Sequence, residues 1–146
     1  MADAFGNLEN WGLVLETMGE LKKKKLLDDH QPALARLLRY PYNPRLTWAA
    51  LSVAKEITQA SDVLIADVLV ILVSREAIIP HRVLAAEALG HLVPRRVTSV
   101  QPADFDIERV VAAMSDIAKT PGPPVVVEAV EAALEAIKSG NKSHRK

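Results

Sequence analysis

The chain contains no cysteine. That absence excludes disulfide staples, thiol nucleophiles and thiolate-bound zinc together, and it suits a reducing compartment. Aromatic residues are scarce, with two Trp, two Tyr and two Phe in 146 residues, so a core must be built from Ala, Leu, Val and Ile. An excess of charge of either sign is missing as well, because 18 basic and 18 acidic side chains cancel. A dedicated nucleic-acid binder ordinarily carries a clear basic surplus, so the balance points away from that class. The longest apolar run, 68–73, falls far short of the roughly 20 residues that cross a bilayer. The opening residues MADAFGNLENWG carry neither a basic nor an apolar leader segment. The expectation is a cytoplasmic protein that does not enter a membrane.

What remains is helical in pattern. Apolar residues make up 49% of the chain, enough for one domain with a packed core. Leu8, Trp11, Leu15 and Met18 recur at three- and four-residue steps, which predicts a first helix over 7–27 with Asn7 as its cap and Lys22–Lys25 in its last turns. A second helix is expected over 31–40 and a third over 44–59, separated by Pro41 and Pro44. Asp62 is expected to cap a fourth helix over 63–75. Its interior VLIADVLVILV is apolar nearly all round, which predicts neighbours on most sides. Pro80 opens a fifth helix ending near Val93, and 94–103 reads as a connector. Asp104 or Asp106 starts a sixth helix, and a seventh over 125–138 is closed by Gly140. Residues 1–140 read as one domain and 141–146 as a basic, disordered tail.

Three of these segments align when each begins at a proline: PRLTWAALSVAKEI from Pro44, PHRVLAAEALGHLV from Pro80 and PVVVEAVEAALEAI from Pro124. Small or apolar residues coincide at Ala49, Ala85 and Ala129, and again at Ile57, Val93 and Ile137. Small residues at such positions let helices approach closely. The stretch PHRVLAAEALGHLVPRRV in particular resembles the second helix of a HEAT-like or armadillo-type repeat, and the resemblance covers roughly residues 30–138. It implies an all-α fold, a short right-handed α-solenoid of about three hairpins (units near 30–60, 62–97 and 104–138) with the first helix as an N-terminal cap, about seven helices in all. It also implies a non-catalytic protein-binding or scaffolding role, since the second helices of such units commonly line the binding face.

On that face the alignment places Trp48 and Lys55, then Leu84 and His91, then Glu128 and Glu135. Trp48 points away from its own helix's core face, and exposed tryptophans are enriched at binding hot spots. A second candidate surface is basic. Arg36, Arg39 and Arg45 surround the first hairpin turn, while His81, Arg82, Arg95 and Arg96 bracket the fifth helix, as an arginine-rich edge suited to phosphate or an acidic peptide. Binding of nucleic acid along that edge is therefore an alternative reading. An enzyme with an unrecognised site is another, although the chain has no HExxH, no P-loop and no dinucleotide fingerprint. The histidines His30, His81, His91 and His144 form no ligand spacing, and no metal or cofactor is expected. The expected partner is another protein, with a second copy of the chain as one candidate.

Overall fold

A computed structural model describes residues 5–40, 42–96 and 107–143. These form seven α-helices: α1 (Trp11–Lys23), α2 (Gln31–Arg39), α3 (Pro44–Ala54), α4 (Asp62–Val73), α5 (Ile79–Leu92), α6 (Ile107–Lys119) and α7 (Pro124–Ser143). Short 3-10 turns at Leu27–His30 and Val93–Arg95 precede α2 and follow α5. No strand occurs among the described residues. One isolated bridge joins Ala60 to Arg96.

Proline sets the starts of α3, α5 and α7 as expected, because its fixed φ suits the first helical turn and its missing N–H is not needed there. The other boundaries move for identifiable reasons. Helix α1 begins at Trp11 instead of near Asn7, whose Oδ1 accepts from the Glu9 amide in a turn ahead of the helix. It ends at Lys23, where Leu26 N–H donates to the Leu21 carbonyl and Lys25 takes a left-handed φ of 59°. A lysine there costs roughly 1 kcal/mol relative to glycine.

Helix α3 stops at Ala54, well before the expected Gln59. The amides of Thr58 and Gln59, which would continue the ladder, donate instead to the Asp28 carboxylate at 2.8–3.2 Å. Ser61, and not Asp62, caps α4 by accepting from Leu64 N–H. Helix α7 runs through Gly140 to Ser143. The expected stop fails because glycine permits a left-handed cap without enforcing one. Residues 144–146 of the expected tail lie outside the described residues, as do the expected caps Asp104 and Asp106 and most of the 94–103 connector.

Contacts link the helices in two rows. Helix α2 packs on α4 and α4 on α6, while α1 packs on α3, α3 on α5 and α5 on α7. Within hairpins α2 pairs with α3, α4 with α5 and α6 with α7. Helices α5 and α7 approach closely. A Cβ on Gly90 would stand 3.1 Å from the Ala133 Cα, tighter than ordinary van der Waals contact, so any larger residue there must push the α7 backbone outward by a few tenths of an ångström. Leu34, Leu37, Leu46, Leu51, Leu64, Leu72, Leu89 and Leu92 are fully enclosed, each contributing about 1.5–3 kcal/mol of transfer free energy.

Helix α4 is not enclosed on most sides. It packs on α2, α5 and α6 and leaves Val63, Val70 and Val73 exposed. Trp11, expected inward with Leu15 and Met18, is also exposed.

Candidate partner-binding surface

Helices α1, α3, α5 and α7 all begin at one edge of the molecule, beside the hairpin turns, and run in parallel. Side-chain contacts fix this register. The Arg45 guanidinium lies 5.6 Å from the Trp11 ring centroid, so the first turns of α1 and α3 meet. The Trp48 and His81 rings stand 6.3 Å apart, so the second turn of α3 meets the first turn of α5. Further along, Lys55 Nζ lies 3.9 Å from Glu87 Oε1, and Gly90 abuts Ala133.

The hairpin edge gathers most of the exposed large apolar side chains among the described residues: Trp11, Tyr42, Trp48, Ile78, Ile79 and Val125. Trp11 and Trp48 are 45% and 47% exposed, so both tryptophans keep about half their surface in water. Half-exposed rings held by neighbours are suited to contact with a partner, because little side-chain entropy remains to be lost. Tyr40 and Tyr42 meet edge to face at 5.3 Å across the first hairpin turn. Beside the second and third turns lies a cleft of about 450 Å³, walled by Val73, Ile117 and Val126 with Arg75, Arg82 and Asp116 among its polar groups.

His81 anchors this surface from beneath. It is 7% exposed, in the first turn of α5 under Trp48. Burial pushes its imidazole below the ordinary value of 6.5, and a hydrogen bond with the Pro44 backbone pulls partly the other way.

The remaining candidates divide between two places. Lys55, His91 and Arg95 come together with Glu56 and Thr58 around a shallow cleft of about 430 Å³ at the far end of α3, away from Trp48. Leu84 is half-buried against the core. The arginines do not share one edge. Arg39, Arg45 and Arg82 lie on the hairpin side, and Arg95 and Arg96 on the side of the inter-hairpin connectors.

Each of these five arginines is engaged within the chain. Arg39 pairs with Asp67 at 2.9 Å and Arg96 with Asp62 at 2.7 Å. Arg82 Nε donates to the Leu72 carbonyl, and Arg95 Nη1 donates to the carbonyls of Lys55 and Ile57 at the end of α3. Arg45 covers the Trp11 ring. Among the described residues no group of three or more His, Asp or Glu side chains is placed to hold a metal ion, and no helix is long and apolar enough to cross a membrane.

Sequence reasoning misses Trp11, Ile79 and Val125 as surface residues. Trp11 fits the apolar spacing of α1, and Ile79 and Val125 stand beside prolines that mark a helix start without saying which way its first side chains face.

Compared with known proteins, the chain matches no family model, no curated protein and no solved structure.

Proposed function

We propose that the chain is a non-catalytic protein-binding or scaffolding module, built as a short right-handed HEAT-like solenoid of three hairpins with α1 as its N-terminal cap. The observation that carries this reading is the exposure of both tryptophans on one edge, beside Ile78, Ile79 and Val125. The two-row contact pattern supports the repeat, since in a solenoid each unit touches only its neighbours. The step from repeat to binding is an analogy of fold. The nucleic-acid alternative has less support, because the five candidate arginines are committed to carbonyls, carboxylates or a ring within the chain.

The test is capture from the native host's lysate with the tagged wild type, Trp48→Glu and Ile79→Glu, beside Lys25→Glu as a control far from the hairpin edge, each verified as folded. A protein held by the wild type and the control and lost from both edge variants is the expected result. Nucleic acid recovered at low salt only, and indifferent to Trp48, would overturn the proposal.

A further inference from the structure

Resting on the reading of the chain as a protein-binding module, we propose that the cleft beside the second and third hairpin turns receives the C-terminal end of the partner chain, with its carboxylate on Arg75 and Arg82 and its last, apolar side chain against Val73, Ile117 and Val126.

The cleft lies where four helices end or begin. Val73 closes α4, Arg82 is in the first turn of α5, Asp116 and Ile117 are in the last turns of α6, and Val126 is in the first turn of α7. The Pro121–Gly122–Pro123 turn completes the lining, and its prolines limit how far that wall can yield. Helix ends of both signs meet here, so their dipoles offset one another and side chains set the local charge.

Those side chains are unevenly committed. Arg82 Nε donates to the Leu72 carbonyl at 2.9 Å. That bond holds the half-buried guanidinium in place and leaves its Nη groups without a partner among the described residues. Arg75 is exposed and has no partner among the described residues either. Asp116 lines the same cleft without forming an ion pair with either arginine. The Thr120 hydroxyl donates to its backbone carbonyl and leaves its carboxylate untouched. Two cations and one anion thus share a cleft whose other walls are largely apolar. A carboxylate entering it meets a net positive charge, and the unused Nη groups of Arg82 can take it in two parallel hydrogen bonds. An ammonium group would meet two like charges.

The size of the cleft selects a chain end. It encloses about 450 Å³. A helix is about 10–12 Å across, so hardly more than one turn of it would fit. The last residue of a chain carries an apolar side chain and a carboxylate on one Cα, so a single residue supplies both groups that the cleft is built to meet. The cleft also lies beside the edge that carries Trp48 and Ile79, so one partner can cover both.

The test uses the full chain and three peptides of one Gly/Ser-rich sequence, labelled with fluorescein at the N-terminus and followed by anisotropy. The first ends in two leucines with a free carboxylate. The second is the same peptide with a C-terminal amide. The third is an amide with Glu before the two leucines, so that its carboxylate is on a side chain. The first is expected to bind, and the second to bind about tenfold more weakly or worse. Arg75→Glu should weaken the first peptide by about tenfold and remove its advantage over the amide. Arg82→Gln should act in the same direction, and Asp116→Asn, which removes the like charge, should tighten the first peptide. Val73→Gln should weaken free acid and amide alike, by about threefold. Arg82 also holds the Leu72 carbonyl, whereas Arg75 is exposed and unpaired, so Arg75→Glu decides the matter if Arg82→Gln fails to fold by circular dichroism.

Equal binding of free acid and amide, equal or tighter binding of the side-chain acid, no binding of any peptide, or indifference to Arg75→Glu would each overturn the inference. The peptides involve no native partner, and capture through Trp48 and Ile79 involves no residue of the cleft, so failure here is distinct from failure of the broader reading.

Discussion

Along the edge where the connectors run, residues 55–61 and 93–96 are tied to helices 28 to 40 positions away by a dense set of hydrogen bonds. Asp28 accepts from two backbone amides and the Thr58 hydroxyl. Gln31 donates to the Gln59 carbonyl and accepts from Ser61 N–H. Arg95 caps the end of α3, and Arg96 pairs with Asp62. Along the hairpin edge the arrangement is reversed. Its turns are short and proline-rich, and its surface is aromatic and aliphatic and open to water. One edge spends its polar groups internally and the other leaves its apolar groups uncovered. The difference separates a surface that holds the stack in register from one that is free to meet something else, because buried polar groups are costly to disturb while exposed apolar ones gain by being covered.

The largest expected effect lies on the connector edge. Gln31 is buried and bridges the turn before α2 to the start of α4. Gln31→Ala leaves the Gln59 carbonyl and the Ser61 amide without partners and should cost about 2–3 kcal/mol, read as a lowered urea midpoint at constant slope. A loss near zero would mean that the connector is not what fixes register.

A smaller effect, set by pH, is expected beneath the hairpin edge, at His81. Its folded-state pKa lies below 6.5, so the unfolded chain binds the proton more readily. Stability is then complete above 6.5 and is lost as pH falls through 6.5 toward the folded value. Between about pH 7.5 and about pH 5.5 the wild type should lose more thermal stability than His81→Gln, whose side chain does not titrate. Equal losses in the two proteins would show that His81 does not titrate on unfolding. The ring lies under Trp48, so the tryptophan's fluorescence should change over the same interval.

Much of this frame is legible in the sequence because it is local. Pro44, Pro80 and Pro124 announce three helix starts by fixing φ, and the aligned Ile57, Val93 and Ile137 are all buried. What cannot be read there is long-range. No spacing around Asp28 reveals that it takes the amides of Thr58 and Gln59, and so no periodicity ends α3 at Ala54. Arg95 reads as a free surface cation until the carbonyls of Lys55 and Ile57 are placed beside it. Helix α4 misleads for the opposite reason. Its apolar residues have no preferred side, so the pattern gives no hint that Val63, Val70 and Val73 face water. The outward direction of Trp48 is legible, since it follows from helical phase against Leu46, Ala50 and Val53. Trp11 is not, because it falls in phase with buried Met18.

The smallest expected effect is on the hairpin edge, and its smallness is the point. Ile79 and Val125 are the second and first apolar surface residues in the opening turns of α5 and α7 as the edge is followed toward Trp48, and each keeps close to half its surface in water or more. Replacing either by Gln removes modest apolar contact and improves helix propensity, since a β-branched side chain loses rotamer freedom in a helix and Gln does not. The two terms oppose each other. Ile79→Gln and Val125→Gln should therefore leave folding stability within about 0.5 kcal/mol of wild type, while reducing capture of the partner that Trp48 holds. A loss above about 1 kcal/mol in both variants would mean that the edge is part of the packing and erase the contrast with the connector side. Near-neutral stability with reduced capture would separate the two edges by function as well as by chemistry.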